Sequence, residues 1–146
     1  MKKLVIGSDH GGFEYKEVLK QYLLEHGYEV MDVGTHTSES VDYPDIAKAA
    51  ADVVLLEGIP GILICGTGIG ISIAANKVKG IRAALCHDTF SAKMSRRHNN
   101  ANMIAFGQRV IGQGLMIEII NAWLNETFEG DRHERRVNKM MNLEEK

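Results

Sequence analysis

Apolar residues recur along this chain in short runs that are separated by longer stretches with helical spacing. The apolar runs predict five strands, at 4–7, 28–33, 62–65, 81–86 and 102–106. Between them, apolar positions three and four residues apart predict helices over 13–26, 45–57, 71–76, 89–98 and 115–124. Gly27 follows the first helix, as a residue that ends a helix would. A basic helix is predicted to begin near Asp131.

This alternation predicts an α/β protein, because each strand is followed by a helix that can cross back to a parallel neighbour. We expect a three-layer α/β/α Rossmann-like fold with a five-stranded parallel sheet. Linkers, repeats and low-complexity segments are absent from the sequence, so residues 1–146 are predicted to form one domain. A hydrophobic content of 45% is enough for a buried core in a chain of this length.

The third predicted strand ends in a sequence with candidate chemistry. Cys65 closes the strand, and Gly66, Gly68 and Gly70 follow at every second position before a helix begins. Glycine lets the backbone approach a ligand closely, and the free N–H groups of a helix start favour an anion. A cysteine at such an electropositive edge is favoured as the thiolate. The segment therefore predicts a base or nucleophile beside an anion cradle.

Other interpretations of this segment stay open. A cysteine at a strand end is often a small apolar filler, and a glycine turn can join a strand to a helix without binding anything. The spacing G-x-G-x-G differs from the dinucleotide fingerprint G-x-G-x-x-G and follows the third strand instead of the first. Asp88 lies at a distance suited to a ribose contact, so a nucleotide site remains a weaker alternative.

Polar residues follow three more of the predicted strands. Asp9 and His10 come after the first strand, His87 and Asp88 after the fourth, and Arg109 after the fifth. The carboxyl ends of parallel strands meet at one edge of a sheet, where open α/β sheets bind their ligands. These clusters are therefore predicted to surround the Cys65 loop.

The last helix carries basic residues where a helix disfavours them. Asp131 can cap its start, with Glu134 completing a capping box. Arg132 and Arg136 lie four apart on one face of the first turns, where positive charge opposes the helix dipole. A phosphate between them would remove this penalty, although a solvated basic face is the alternative. Because no P-loop lysine motif accompanies them, a phosphorylated metabolite is favoured over ATP.

Composition narrows the function classes. A net charge of −2 and a pI near 6.3 argue against a nucleic-acid partner. The sequence has no apolar run long enough for a bilayer and no signal-peptide pattern, and its two cysteines are too few for a disulfide framework, so a cytoplasmic location is expected. The six histidines show no metal-ligand spacing, so we expect no metal and no cofactor.

Six sequence blocks together resemble the type B ribose-5-phosphate isomerases. They are GSDHGG at 7–12, DYPD at 42–45, the segment 61–76 with CGTGIGIS, SRRHN at 95–99, FGQRV at 106–110 and RHERRV at 132–137. The wider family includes galactose-6-phosphate and allose-6-phosphate isomerases. The resemblance implies a cofactor-free isomerase that interconverts D-ribose 5-phosphate and D-ribulose 5-phosphate through a cis-enediolate, in the non-oxidative pentose phosphate pathway. It also implies a homodimer, often paired into a tetramer, in which the helix from about 131 contacts a neighbour.

The resemblance also implies roles for individual residues. Cys65 matches the proton-abstracting base and His98 the ring-opening acid, while the adjacent Thr67 hydroxyl could relay a proton. The implied substrate contacts are Asp9, His10, Tyr43, Gly66, Gly68, Ile69, Gly70, Asn99, Arg109, Arg132 and Arg136. Within this set, His10 and the three arginines match phosphate contacts, whereas Asp9 and Asn99 match contacts to sugar hydroxyls. His98 and Asn99 are expected from the neighbouring subunit.

Two alternatives to this function remain at the level of sequence. The substrate could be a six-carbon sugar phosphate, because the sequence gives no pocket volume. The chain could also be a binding module for sugar phosphates or nucleotides without catalysis. The presence of both Cys65 and His98 argues against a simple binding module, because binding alone needs neither a thiolate nor a paired acid.

Overall fold

A computed structural model describes residues 2–145, and its centre is a five-stranded, all-parallel sheet. The strands are β1 (Lys2–Ser8), β2 (Tyr28–Asp32), β3 (Gly61–Cys65), β4 (Ala83–Leu85) and β5 (Met103–Gly107). They lie in the order β2-β1-β3-β5-β4. The predicted fold class, a parallel sheet between two layers of helices, is confirmed.

Helices cover both faces of the sheet. They are α1 (Phe13–Glu25), α2 (Tyr43–Glu57), α3 (Ile69–Asn76), α4 (Thr89–Arg97), α5 (Gln113–Leu124) and α6 (Arg132–Asn142). Short 3₁₀ turns occupy His10–Gly12 and Leu143–Glu145. One apolar core joins the sheet to α1, α4 and α5, and a second joins it to α2 and α3.

The alternation of side chains along β3 creates these two cores. Ile62 and Ile64 point into the first core, whereas Leu63 and Cys65 point into the second, and every residue of the strand is buried. Strands that are covered on both faces are apolar without a polar side, which explains why this one reads as a continuous apolar run. Cys65 therefore ends the strand on the α2–α3 side of the sheet.

The strand order creates a crevice beside β1 and β3. These strands are neighbours in the sheet, yet α1 leaves β1 on one face and α3 leaves β3 on the other. A crevice opens at the carboxyl ends of two strands whose following helices diverge in this way. The Asp9 and Cys65 loops both lie at this point.

The edge strand β4 is shorter than the sequence predicts. It pairs with β5 only over Ala83–Leu85, although the apolar run extends from 81 to 86. The Asn76 side chain accepts a hydrogen bond from the Ala83 N–H and donates one to the Ala83 carbonyl. A side-chain amide thus takes the place of another strand at this edge.

The predicted capping box of α6 is wrong. Asp131 precedes the helix with φ +50°, and its side chain makes no capping hydrogen bond. An N-cap residue that uses its side chain needs an extended backbone, which this left-handed conformation does not provide. Two amides of the first turn instead donate to the Gly130 and Asp131 carbonyls.

Within residues 2–145, none of the helices combines the length and the apolar character that a bilayer crossing requires.

Candidate active site

Cys65 lies where its strand gives way to the glycine loop. The side chain is buried, with the residue 5% exposed, and its Sγ accepts a hydrogen bond from the Gly68 N–H at 3.0 Å. Gly68 in turn is the N-cap of α3. The thiol is therefore held at the N-terminus of a helix, where the backbone dipoles favour negative charge.

Gly68 shows why this loop needs glycine. Its φ is +79°, a left-handed conformation, and a methyl group in place of its hydrogen would lie 2.6 Å from the backbone of Phe106. Only glycine satisfies both conditions. The loop thus packs closely on the end of β5, and it leads into a helix whose first amides have no carbonyl partner within the helix.

Thr67 and Ile69 occupy the exposed side of the same loop. The Thr67 hydroxyl accepts a hydrogen bond from the Ile69 N–H at 3.2 Å. This contact fixes the hydroxyl at the mouth of the loop, two residues from Cys65. The Ile69 side chain is half-exposed.

Two predicted ligand residues pack directly on the glycine loop. The Arg109 guanidinium lies about 3.5 Å from the position that a side chain on Gly66 would take, and the backbone N–H of Arg109 donates to the Gly66 carbonyl at 3.0 Å. A methyl group on Gly70 would lie 2.7 Å from the Tyr43 ring. The loop is therefore bordered by a cation on one side and a phenol on the other.

The turn after β1 closes the crevice from the opposite side. Asp9 is buried, and its carboxylate accepts a hydrogen bond from the Gly11 N–H at 2.9 Å. Gly11 packs against the backbone of Gly66. The neighbouring His10 is exposed, and its Nδ1 accepts a hydrogen bond from the Val41 N–H at 3.2 Å, which leaves Nε2 directed away from that contact.

His87 and Asp88 have structural roles. His87 Nε2 accepts a hydrogen bond from the Gly107 N–H at 3.0 Å, and burial lowers the pKa of this imidazole. The Asp88 carboxylate caps α4 by accepting from the Ser91 N–H at 2.6 Å, a contact that also lowers the pKa of Asp88. Because this carboxylate serves a helix N-terminus, the structure does not support the ribose contact that a nucleotide site would need.

A second cluster forms around the start of α6. His98 follows the last turn of α4 and stacks on His133 with ring centroids 4.2 Å apart and an interplanar angle of 10°. Glu129 places one carboxylate oxygen 3.9 Å from His98 Nε2 and 3.5 Å from His133 Nε2. Arg132 and Arg136 are exposed in the first turns of the same helix.

The two clusters are separate within one chain. Cys65, Asp9, Tyr43, Arg109 and the glycine loop share contacts, but no hydrogen bond, ion pair or ring contact within residues 2–145 joins them to the α6 cluster. Asn99 follows His98 in the chain and lines a cavity of about 410 Å³ beside β4 together with Met140 and Met141. The predicted site residues therefore do not form a single cluster within one chain.

Sequence reasoning missed His133 and Glu129. Their ligand atoms and that of His98 lie within 4.8 Å of one another, an arrangement that could hold a metal ion. The expectation of no metal rested on spacing along the chain, which gives no sign of this cluster because its members come from the end of α4, a loop and α6. The only signal was the position of His133 between two arginines already singled out.

A family model described as Ribose/Galactose Isomerase matches residues 4–140. The chain belongs to this family. Among its relatives, ribose-5-phosphate isomerase B of Escherichia coli (strain K12) is 48% identical over 147 residues, covering 100% of this chain and 99% of the relative. D-erythrulose-4-phosphate isomerase of Pectobacterium atrosepticum is 46% identical over 143 residues, covering 96% and 93%. Membership makes the chain a sugar phosphate isomerase, while the relatives differ in the sugar that their names give.

Solved structures agree with the family. Ribose-5-phosphate isomerase B from Clostridium thermocellum superposes with a TM-score of 0.96 at 51% identity, covering 98% of this chain and 97% of the other. The enzyme from Mycoplasma genitalium, with bound ribulose-5-phosphate, gives a TM-score of 0.94 at 38% identity, covering 99% and 97%. The shared fold extends through α6.

Proposed function

We propose that this protein interconverts D-ribose 5-phosphate and D-ribulose 5-phosphate through a cis-enediolate, in the non-oxidative branch of the pentose phosphate pathway. The observation that carries the proposal is the Cys65 thiol, held by the Gly68 N–H at the start of α3 in a loop that Arg109 contacts at Gly66. A thiol in this setting can act as a base beside a cradle for negative charge. A module that only binds a sugar phosphate has no use for such a base.

Cys65 is proposed to move the proton. As the thiolate it removes the proton from C2 of the open-chain aldose, and the electron pair forms the C1–C2 double bond while the carbonyl oxygen becomes an oxyanion. The same proton, or one relayed through the Thr67 hydroxyl, is then delivered to C1. The C2 hydroxyl proton returns to the C1 oxygen, which gives the ketose with no net change in redox state and with no cofactor.

The glycine loop is proposed to stabilise the enediolate. Backbone N–H groups at the start of α3 have no carbonyl partner within the helix, and we propose that they are aimed at the substrate. In other enzymes, one such donor aimed at a developing oxyanion lowers the activation barrier by about 2.7–4 kcal/mol. Asp9, whose turn packs on Gly66, and Tyr43, which packs on Gly70, are proposed to contact sugar hydroxyls.

Completion of the site is proposed to need a second copy of the chain. His98, the proposed ring-opening acid, lies with Arg132 and Arg136 in the cluster that shares no contact with Cys65. In a homodimer, or a tetramer of paired dimers, the α6 cluster of one subunit would face the Cys65 loop of its partner. Arg109 and His10 would then contact the substrate phosphate from one subunit, and Arg132 and Arg136 from the other, with Asn99 also coming from the partner.

Another sugar phosphate is the second candidate substrate. The relative from Pectobacterium atrosepticum is named for a four-carbon ketose phosphate, and the family description includes galactose. All of these reactions use the same proton transfer and a bound phosphate group. They differ in the number of carbon atoms between the reacting carbon and the phosphate.

A coupled assay on purified protein without added metal tests the proposal. The substrates are ribose 5-phosphate, allose 6-phosphate, galactose 6-phosphate and erythrose 4-phosphate. We expect the largest kcat/KM for ribose 5-phosphate. A larger value for one of the other three would replace the proposed substrate, and no turnover of any would contradict isomerase activity in this chain.

A further inference from the structure

We propose that His133 and Glu129 are positioning residues for His98: the His133 ring sets the plane of the His98 imidazole, and the Glu129 carboxylate keeps its Nε2 proton in place. The inference deepens the proposed function and rests on His98 as the ring-opening acid. Neither residue belongs to the set that the sequence predicted for the site.

The stack between the two imidazoles fixes the His98 ring. The rings are 4.2 Å apart and within 10° of parallel, and the side chain of His98 is 39% exposed while that of His133 is only 7% exposed. A buried ring on a helix is held by its packing, and it therefore presents a rigid surface to the exposed one. His98 can rotate freely only by breaking this contact.

Glu129 is fixed at the Nε2 edge of both rings. Its N–H donates to the Arg97 carbonyl at 3.0 Å, and the Arg97 guanidinium pairs with Glu126 at 2.6 and 3.3 Å. The segment that carries the carboxylate is thus tied to the end of α4, the same element that ends at His98. The carboxylate thus lies 3.9 Å from His98 Nε2, the nitrogen from which the proposed acid would donate its proton.

The burial of His133 Nε2 has no other structural purpose in the part of the chain that the structure describes. This atom is buried and makes no hydrogen bond within residues 2–145, and Glu129 Oε1 at 3.5 Å is the group that faces it. A buried polar atom without a partner is costly, so its retention needs a reason. A neutral ring that supports a charged neighbour provides one.

The charges around His133 agree with a neutral ring. Burial lowers its pKa, and the positive charges of His98, Arg132 and Arg136 lower it further, against the opposing effect of Glu129. The neutral form of the His133 ring is therefore favoured at neutral pH. When His98 carries the proton that its proposed role as an acid requires, the stack places a cation over a neutral aromatic ring, which is an attractive arrangement.

The same geometry argues against a metal ion here. A zinc ion binds each imidazole in the ring plane at about 2.0–2.1 Å. The lone pairs of two rings that are parallel and 4.2 Å apart do not converge on one such point. The stacked arrangement therefore favours proton handling over metal coordination.

Comparison of a cyclic with an open-chain substrate tests the proposal. Ribose 5-phosphate closes a furanose ring that must be opened, whereas erythrose 4-phosphate cannot, because its C4 oxygen carries the phosphate. The variants are His133→Ala, His133→Phe and Glu129→Gln. The control is Glu134→Gln, which removes an exposed carboxylate from the first turn of α6. Circular dichroism and thermal unfolding verify the fold of each variant.

We expect His133→Ala and Glu129→Gln to lower kcat for ribose 5-phosphate by about tenfold, a fraction of the 10²–10⁴ that an acid–base group contributes. Turnover of erythrose 4-phosphate should fall less than twofold, and KM should change little for either. His133→Phe, which keeps a ring in the stack, should retain most of the activity. Equal losses for both substrates would overturn the proposal, because both carry the phosphate and a disturbed arginine pair would affect them alike.

His98→Asn separates this inference from the proposed function. One outcome is that His98→Asn loses ribose 5-phosphate turnover selectively while the His133 and Glu129 variants keep it. In that case the positioning role is wrong, and the role of His98 as the acid is retained. If His98→Asn leaves the cyclic substrate unaffected, the acid itself is wrong. Should the wild-type protein not turn over erythrose 4-phosphate, deuterium uptake at C1 of the open-chain ribulose 5-phosphate replaces it, with the same expected selectivity.

Discussion

At the scale of single residues, the two cysteines show how position decides chemistry. Cys86 is 2% exposed and packs in the α1–α5 core, where burial raises the pKa of its thiol to about 11 against a smaller opposing effect of Ser95. Cys65 is nearly as buried, but its Sγ meets the Gly68 N–H at a helix start. Of the two cysteines, Cys65 is therefore the proposed base, and Cys86 provides a matched control within the same chain.

Arg136 is predicted to recognise the phosphate. Its charge in the first turns of α6 opposes the helix dipole unless an anion lies beside it. Arg136→Leu should lower kcat/KM for ribose 5-phosphate. The corresponding loss of transition-state stabilisation should be about 1.5–3 kcal/mol, the range for a hydrogen bond to a charged group. Turnover of unphosphorylated ribose should hardly change, and steady-state kinetics on both sugars measures the difference.

Arg135→Leu is the control for this prediction, because Arg135 is exposed on the same helix but lies outside the proposed site. Arg135→Leu should leave kcat/KM unchanged for both ribose and ribose 5-phosphate. The midpoint of thermal unfolding of Arg136→Leu should be no lower than that of the wild type. Equal losses for ribose and its phosphate would place the phosphate elsewhere.

At the scale of elements, the sequence was most informative where backbone chemistry is local. The glycine loop and α3 follow from residues adjacent in the chain, and the left-handed Asn100 after α4 agrees with its predicted helix end. The predicted Asp131 cap is wrong because this residue has a positive φ instead of the extended backbone that a side-chain cap needs. The His98–His133 stack could not be predicted, since it joins residues 35 positions apart whose contact depends on how α6 folds back.

The edge strand β2 is held to α1 by a buried charge network. The Asp32 carboxylate, 11% exposed, accepts hydrogen bonds from Lys16, which is fully buried, and from Lys20. Burial alone would raise the pKa of Asp32, but the hydrogen bonds of the two lysines and of the Gly34 N–H outweigh it and lower the pKa. The carboxylate therefore stabilises the fold while it is ionised.

Asp32→Asn should lower the free energy of unfolding at pH 7 by about 1.5–3 kcal/mol, as expected for lost charged hydrogen bonds. Because the folded pKa is lowered, this stabilisation is present above the unfolded value of about 3.9 and is lost as the pH falls through the folded value. Urea unfolding at pH 7 and near pH 3 should show the variant and the wild type converging at the lower pH.

Asp52→Asn provides the comparison, because Asp52 pairs with Lys48 on the surface of α2 with both side chains more than half exposed. Its effect at pH 7 should stay within about 1 kcal/mol. An Asp32 effect that is no larger, or one that does not change with pH, would show that the network contributes little to stability.

At the scale of the whole molecule, the residues of the proposed site lie in two regions of one chain. The Cys65 loop lies at the carboxyl ends of β1 and β3, whereas His98 and the arginines of α6 form a cluster of their own. Half-exposed apolar side chains at Ile69 and Ile73 border the Cys65 loop. Both observations support a site that is completed by a second subunit.

Mixing two inactive variants tests this arrangement. Cys65→Ala and His98→Ala should each be inactive alone, but a mixed dimer would contain one site with both residues intact. Activity should therefore return after subunit exchange, to as much as about a quarter of the wild-type sites if exchange is random. Continued inactivity, with exchange verified by native mass spectrometry, would show that each chain builds its own site.

The central claim is that Cys65 moves the proton of a sugar phosphate, and kcat for ribose 5-phosphate in Cys65→Ala and Cys86→Ala tests it most directly. Cys65→Ala should lose at least 10²-fold in kcat with substrate binding nearly intact, because an acid–base group contributes about 10²–10⁴-fold. Cys86→Ala should retain wild-type kcat. If Cys65→Ala kept more than about a tenth of the wild-type kcat, equivalent to less than ~1.4 kcal/mol of barrier, Cys65 would not be the base.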